Sequence, residues 1–484
     1  ILKGEWKFDG FVVSDWGSIN EMIAHGYAKD SKQAAEIAMN AGSDMDMESS
    51  AYVDHLVALV REGKVKEALI DDAARRILKV KFELGLFDNP YLYCDENYEK
   101  ETVGKAAFQE GVLDMAKKSI VLLKNENQLL PLKKSGQKIV VIGALANDKT
   151  SPLGSWRIAA DDNSAVSLLE GLQQYKGNQI SYVKGADVVT GRTQFVWETK
   201  INTTDKSGFA EAIAAAKGAD VVIMSLGEHG LQSGEGRSRA EIGLPGVQQE
   251  LLETIYKVNK NIVLVLNNGR PLTIPWAADT IPAIVEGWQL GTQSGNAIAQ
   301  VLYGDYNPSG KLPMTFPRSV GQLPLYYNYK NTGRPIMNEP ESVFWSHYTD
   351  EKNTAVYPFG FGLSYTKFEY SNLKLNRDIF NTTDEIEVSV NVKNTGKYAG
   401  KEVVQLYIRD EIASVTRPVK ELKGFEMIEL QPGQSKDVLF KINKKTIEFF
   451  TANRKWESEE GDFKVFVGTN SDTTLEKRFS YRND

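Results

Sequence analysis

The stretch Phe11-Val12-Val13-Ser14-Asp15-Trp16-Gly17 constrains this chain more than any other. Three apolar residues run directly into a hydroxyl, a carboxylate, an indole and a glycine. A short apolar run with adjacent valines has the pattern of a strand buried on both faces, as in a parallel sheet. The polar cluster then falls at the strand's carboxyl end, where α/β folds gather their chemistry. Two readings of Asp15 follow. It can cap the helix that comes next, since Asp is a favoured N-cap, or it can be a nucleophile under the flat apolar face of Trp16. The local spacing by itself favours the cap.

The alternation of strand and helix continues to residue 88. Ala34, Ala35, Ile37 and Ala38 predict a helix over 31–40 that ends at Gly42. Met45-Asp46-Met47 follows as a second short strand, and two amphipathic helices are predicted over 52–62 and 66–84. This order implies a parallel sheet. Two strands cannot bury each other, so 1–88 reads as part of something larger. Asp88-Asn89-Pro90 breaks the pattern, and 89–110 reads as a polar linker. A second α/β region, 111–320, has buried-strand patterns at 138–143, 220–226, 261–266 and 283–286. Helical stretches at 164–175, 208–217, 246–259 and 295–302 lie among them, which implies a doubly wound domain. Residues 321–365 read as a wrapping connection. The last region, 366–484, consists of short strand patterns separated by turns such as Lys393-Asn394-Thr395-Gly396 and Gln431-Pro432-Gly433, the spacing of a β-sandwich of immunoglobulin or fibronectin type III shape.

Composition narrows the function. The 484 residues suffice for about three domains. A net charge of -7 argues against a nucleic-acid binder, which usually shows a basic stripe. No apolar run approaches the roughly 18 residues of a membrane span. The single cysteine, Cys94, excludes an intrachain disulfide and a Cys-rich metal site. Residues 1–8 lack the basic-then-apolar order of a signal peptide and read as the interior of a longer protein.

The second candidate stretch follows the strand pattern at 220–226. Gly227, Gly230, Gly234 and Gly236 make it a loop, and it carries Glu228, Glu235, Arg237 and Arg239. The glycines do not fit a phosphate-binding loop. A mobile loop that delivers a carboxylic acid and a solvated surface loop both remain open. His25, His55, His229 and His347 lack metal-binding spacing, and His25 reads as a surface helix residue. No G-x-S-x-G elbow is present. Trp156, Trp288 and Trp345 fit sugar platforms or plain core, with core favoured.

Several motifs together resemble glycoside hydrolase family 3, in its bacterial β-glucosidase branch. They are Asp9-Gly10-Phe11-Val12-Val13-Ser14-Asp15-Trp16, Asp72-Ala73-Ala74-Arg75-Arg76-Ile77-Leu78, Leu84-Gly85-Leu86-Phe87-Asp88 and Ser119-Ile120-Val121-Leu122-Leu123-Lys124-Asn125. Pro308-Ser309-Gly310-Lys311-Leu312-Pro313, Tyr357-Pro358-Phe359-Gly360-Phe361-Gly362-Leu363-Ser364-Tyr365 and Glu421-Leu422-Lys423-Gly424-Phe425 continue the series. The resemblance implies the end of a (β/α)₈ barrel, then a doubly wound α/β sandwich, then a fibronectin type III-like domain. It implies a retaining exo-acting β-glucosidase with Asp15 as nucleophile, Glu235 in preference to Glu228 as acid/base, and Trp16 and Arg239 at the substrate. The family's earlier barrel strands, which carry an Asp, an Arg and a Lys-His pair for the sugar hydroxyls, have no counterpart here and are expected upstream, in cis or in trans. No cofactor or metal is implied. A β-glucoside or oligosaccharide is the expected partner, a homodimer is allowed, and the expected compartment is the periplasm or the exterior. A β-xylosidase or other β-glycosidase of the family, or a non-catalytic carbohydrate-binding relative, is the alternative.

Overall fold

The computed structural model describes residues 1–158, 160–336 and 342–483. The chain divides into two units, Ile1–Lys105 and Ala106–Asp484.

In the first unit, helices α1 (Ser18–Ala24), α2 (Ser31–Ala41), α3 (Ala51–Arg61) and α4 (Glu67–Glu83) follow the predicted order. Asp30 caps α2 by accepting from the Gln33 amide, and Gly42 closes it at φ 94°. Ala34, Ala35, Leu56 and Leu59 form a small core with Ile19 and Met39. The two expected strands are reduced. Only Val13 and Met45 form a parallel bridge, supported by Ser14 N to Met45 O at 2.9 Å and Met45 N to Val12 O at 3.0 Å. Each segment has one partner among the described residues, so neither extends into a ladder. The stretch expected as linker contains a helix, α5 (Glu96–Thr102), whose first amides are capped by Asp95.

The second unit is built on a six-stranded sheet. Its strands are β1 (Val121–Asn125), β2 (Ser135–Ile142), β3 (Gly177–Val183), β4 (Val221–Gly227), β5 (Ile262–Asn267) and β6 (Ala283–Glu286), in the order β1-β6-β5-β4-β2-β3. All pairs are parallel except β1 with β6. Side chains alternate across the sheet. Val222, Met224, Leu226, Leu264 and Leu266 enter one core, and Val221, Ile223, Val263 and Val265 enter the other. A sheet covered on both faces needs such unbroken apolar strands. The motif 119–125 contains the antiparallel strand β1, which the sequence pattern did not single out. Edge strand β3 was also missed, because it alternates exposed and half-buried residues until Val183.

The connection after residue 305 is tied to both flanking domains. Leu363 N donates to Leu122 O at 2.9 Å, and Phe316 bridges Tyr357. Lys311 Nζ lies 3.1 Å from Glu402, whose buried carboxyl also accepts from Tyr370 at 2.9 Å.

The final domain comprises β7 (Phe368–Leu375), β8 (Ile379–Phe380), β9 (Glu385–Asn394), β10 (Gly400–Asp410), β11 (Glu421–Leu430), β12 (Ser435–Asn443), β13 (Phe449–Phe450), β14 (Trp456–Glu457), β15 (Gly461–Gly468) and β16 (Glu476–Tyr481). A five-stranded sheet β11-β10-β15-β16-β8 and a three-stranded sheet β12-β9-β7 enclose one core. This is the expected β-sandwich.

Candidate active site

Asp15 sits on a turn strapped to the neighbouring segment. The amide of Met47 donates to Ser14 Oγ at 2.9 Å, and the amide of Gly17 donates to Met47 O at 2.9 Å. Gly17 has φ 67°, a left-handed conformation that a side chain disfavours. Asp15 does not cap α1. That position belongs to Gly17, and no side chain caps the helix. Instead Asp15 Oδ1 accepts from the Trp16 amide at 2.6 Å, which fixes the carboxylate relative to its own turn. Asp15 is exposed, and Trp16 is 67% exposed. Beneath the turn Asp44 is buried and accepts from the Val12 amide at 2.7 Å and from Lys3 Nζ at 2.5 Å. The strand pattern gave no sign of this anchor.

In the second unit, polar side chains collect at the carboxyl ends of β4, β5 and β6. The two candidate glutamates stand in opposite surroundings. The Glu228 side chain is fully buried between two guanidinium groups, with Arg239 Nη1 at 2.7 Å and Arg270 Nε at 3.0 Å from Oε1. Glu235 is exposed, and among the described residues its carboxylate has no hydrogen-bond or ion-pair partner. The backbone under Glu235 is held nevertheless. Arg237 donates to Leu231 O and to Glu235 O, both at 2.7 Å, and to Phe195 O. Its guanidinium lies 5.1 Å from the Phe195 ring centre. Gly234 has φ 124°, and a Cβ there would meet Ser155 Oγ at 2.2 Å. The tip of the loop therefore needs glycine for both conformation and space.

Arg239, expected at the substrate, spends its guanidinium on Glu228 and on Gly243 O at 3.0 Å. His229 is half-buried, and burial holds its imidazole below the usual value. Its Nδ1 accepts from the Leu231 amide at 3.2 Å, so it serves the loop's fold. Of the tryptophans, Trp288 packs against both cores of the sheet. Trp156 is 62% exposed and meets Phe195 edge-on at 5.2 Å. Trp345 is half-buried, and His347 Nδ1 lies 2.7 Å from its carbonyl oxygen. His25 is exposed at the end of α1, and His55 lies half-buried on α3.

Three residues of this cluster escaped the sequence reading: Asn268, Arg270 and Glu286. Glu286 is wholly buried; its Oε1 accepts from the Trp288 amide at 2.8 Å and its Oε2 from Asn268 Nδ2 at 3.1 Å. Burial, opposed by these two bonds, pushes its carboxyl up to about 8. All three stand at or just past the carboxyl end of a buried strand. The strand-end rule that found Asp15 and Glu228 would have found them too. Among the described residues no group of three or more His, Cys, Asp and Glu side chains could hold a metal ion. No helix there is long and apolar enough to cross a membrane.

Three family profiles cover most of the chain. They are the glycosyl hydrolase family 3 N-terminal domain over residues 1–80, its C-terminal domain over 120–365 and a fibronectin type III-like domain over 402–471. A periplasmic beta-glucosidase of Salmonella typhimurium is 43% identical over 97% of the chain and 63% of its own length. A beta-xylosidase of Formosa agariphila is 38% identical over 97% of the chain and 64% of its own length. The crystal structure of a beta-glucosidase from Listeria innocua in complex with isofagomine superimposes with a TM-score of 0.91 at 36% identity, over 100% of this chain and 65% of that one. The chain thus spans less than two thirds of the length of these relatives. With its barrel-end segment, α/β domain and sandwich in family order, it belongs to glycosyl hydrolase family 3.

Proposed function

We propose that this chain carries the two catalytic carboxylates of a retaining, exo-acting β-glucosidase. Asp15 attacks the anomeric carbon and forms the glycosyl-enzyme bond. Glu235 protonates the departing oxygen, then takes a proton from the water that attacks the same carbon. Such chemistry requires the two carboxyl groups about 5 to 5.5 Å apart when substrate is bound. The observation that carries the assignment of the acid is the contrast between the glutamates. Glu228 is enclosed and consumed by two arginines, whereas Glu235 is free on a loop whose backbone is fixed. A proton donor must reach a ligand, and only the second can.

The glycone contacts are proposed to come from the barrel strands that precede Asp15 in the longer relatives, with Trp16 packing on the sugar. Periplasmic location is proposed on the first relative's name. A β-xylosidase is the second reading, favoured by the Formosa agariphila relative; a pentoside-against-hexoside comparison of kcat/KM separates the two.

The roles are tested in the protein extended to the length of its relatives. Asp15→Ala with azide should yield the inverted glycosyl azide, and Glu235→Ala with azide the retained one. The same adduct from both variants would overturn the roles.

A further inference from the structure

We propose that Glu228 and Arg270 are positioning residues that clamp the base of the loop bearing Glu235, an inference that rests on Glu235 being the acid/base. Arg270 has two ends at work. Its Nε lies 3.0 Å from Glu228 Oε1 and 3.3 Å from Oε2. Its Nη2 donates to Gln232 O and, at 2.9 Å, to Arg237 O. Those two carbonyls stand on either side of residues 233–236, so one planar guanidinium ties the loop's entry to its exit. Glu228 fixes the plane of that guanidinium. Its side chain is fully buried, the Gly269 amide reaches Oε2 at 3.4 Å, and Arg239 takes Oε1 from another side at 2.7 Å. Arg239 in turn holds Gly243 O at 3.0 Å, on the run that leads away from the loop. The clamp grips backbone alone and leaves the Glu235 side chain free to meet a ligand.

The fork is what makes the clamp. A lysine at position 270 would keep the charge beside Glu228, but its single ammonium could not hold the carboxylate and both carbonyls in one plane. Loosening the loop displaces the proton donor. A displacement of about 1 Å costs on the order of 10²-fold in a step that depends on orientation. The loss should fall on substrates whose leaving group needs a proton and spare those whose leaving group departs as an anion. A role in folding alone would not sort substrates by leaving-group basicity.

The experiment measures kcat/KM for an alkyl β-glucoside and for 2,4-dinitrophenyl β-glucoside in the full-length protein. Arg270→Lys, Arg270→Ala and Glu228→Gln are compared with Glu235→Gln. Arg270→Lys and Glu228→Gln should each lower the alkyl value on the order of 10²-fold and leave the dinitrophenyl value within about twofold. Guanidinium ion at millimolar concentration should restore part of the alkyl activity of Arg270→Ala. Arg270→Lys keeps a cation beside Glu228 and decides the matter if Glu228→Gln does not fold. Equal losses on both substrates, or no loss on either while Glu235→Gln still discriminates, overturn the clamp. If Glu235→Gln itself fails to discriminate, the acid/base reading falls first and the clamp with it.

Discussion

Residues 1–88 and the sheet of the second unit carry the same alternation of apolar strand and amphipathic helix, yet only the second becomes a sheet. Met45 and Met224 show the difference. Among the described residues Met45 pairs with Val13 alone, and it is 41% exposed. Met224 lies between Ile142 on β2 and Leu264 on β5 and is wholly buried. A parallel strand is stable where both of its edges and both of its faces are covered. β4 and β5 have all of these; the segment before Asp15 has one edge. The contrast extends to the chemistry. The nucleophile candidate rides on a turn above a single bridge, and the acid/base candidate rides on a loop pinned to a complete sheet.

The largest expected effect follows from that asymmetry. Residues 1–484 expressed alone should turn over an aryl β-glucoside on the order of 10⁴-fold more slowly than the protein extended to the length of its relatives. Binding contacts that hold a sugar against its nucleophile supply effects of at least this size. Supplying the barrel strands in trans should recover part of the rate. Equal rates from the two chains would break the comparison, because the single bridge at Val13 would then hold Asp15 as well as a complete sheet holds the Glu235 loop.

How far the sequence alone could reach follows the same division. Strands β4, β5 and β6 were legible because five or more consecutive buried residues leave no other reading, or because the run ends at a turn, as at Glu286. β1 was hidden because its three buried residues run on into the half-buried Lys124 and Asn125, and β3 by its polar, half-exposed face. At Asp15 local spacing pointed to an N-cap, but a left-handed glycine two residues later took that role. A capping preference is a local rule, and the turn's conformation overrode it. Glu235 and Glu228 could be found as a pair from the glycine-rich loop. What separates them, the pairing of both arginines with Glu228, could not be found. One comes from eleven residues along the same loop and the other from the end of β5. Such pairings depend on strand order, which spacing does not encode.

The second effect compares one substitution at two sites. Met224→Ala should cost about 2 to 5 kcal/mol, because removing a wholly buried thioether leaves a cavity in the core on one face of the sheet. Met45→Ala should cost about 0.5 kcal/mol or less, the usual range for an exposed position. Urea denaturation of each variant, followed by far-UV circular dichroism, measures both. Comparable losses would mean that the first unit is packed as tightly as the second, against its exposure.

The last effect concerns pH, and here two carboxyls of the first unit and the buried Glu286 of the second should differ in sign. In the first unit, hydrogen bonding to Arg76 lowers the carboxyl of Asp72, and hydrogen bonding to Lys79 lowers that of Asp9. A carboxyl lowered by folding contributes stability above its unfolded value, and that contribution is lost as pH falls through the folded one. Glu286 in the second unit runs the other way. Burial raises its carboxyl from 4.5 to about 8, so the folded state holds a proton that the unfolded chain has released. Its contribution is complete below pH 4.5 and is lost as pH rises toward 8. Within that window stability falls with a limiting slope of about 1.4 kcal/mol per pH unit. Glu286→Gln keeps the shape of the neutral acid and its contact with the Trp288 amide, and it removes the titration. Thermal melting from pH 4 to 9 should therefore show the parent losing stability from about pH 4.5 to about pH 8. The variant should be flatter there, equal to the parent or less stable near pH 4.5, and more stable near pH 8. Parallel curves for parent and variant would show that Glu286 titrates near its ordinary value, and the buried end of β6 would then differ from the exposed first unit in packing alone.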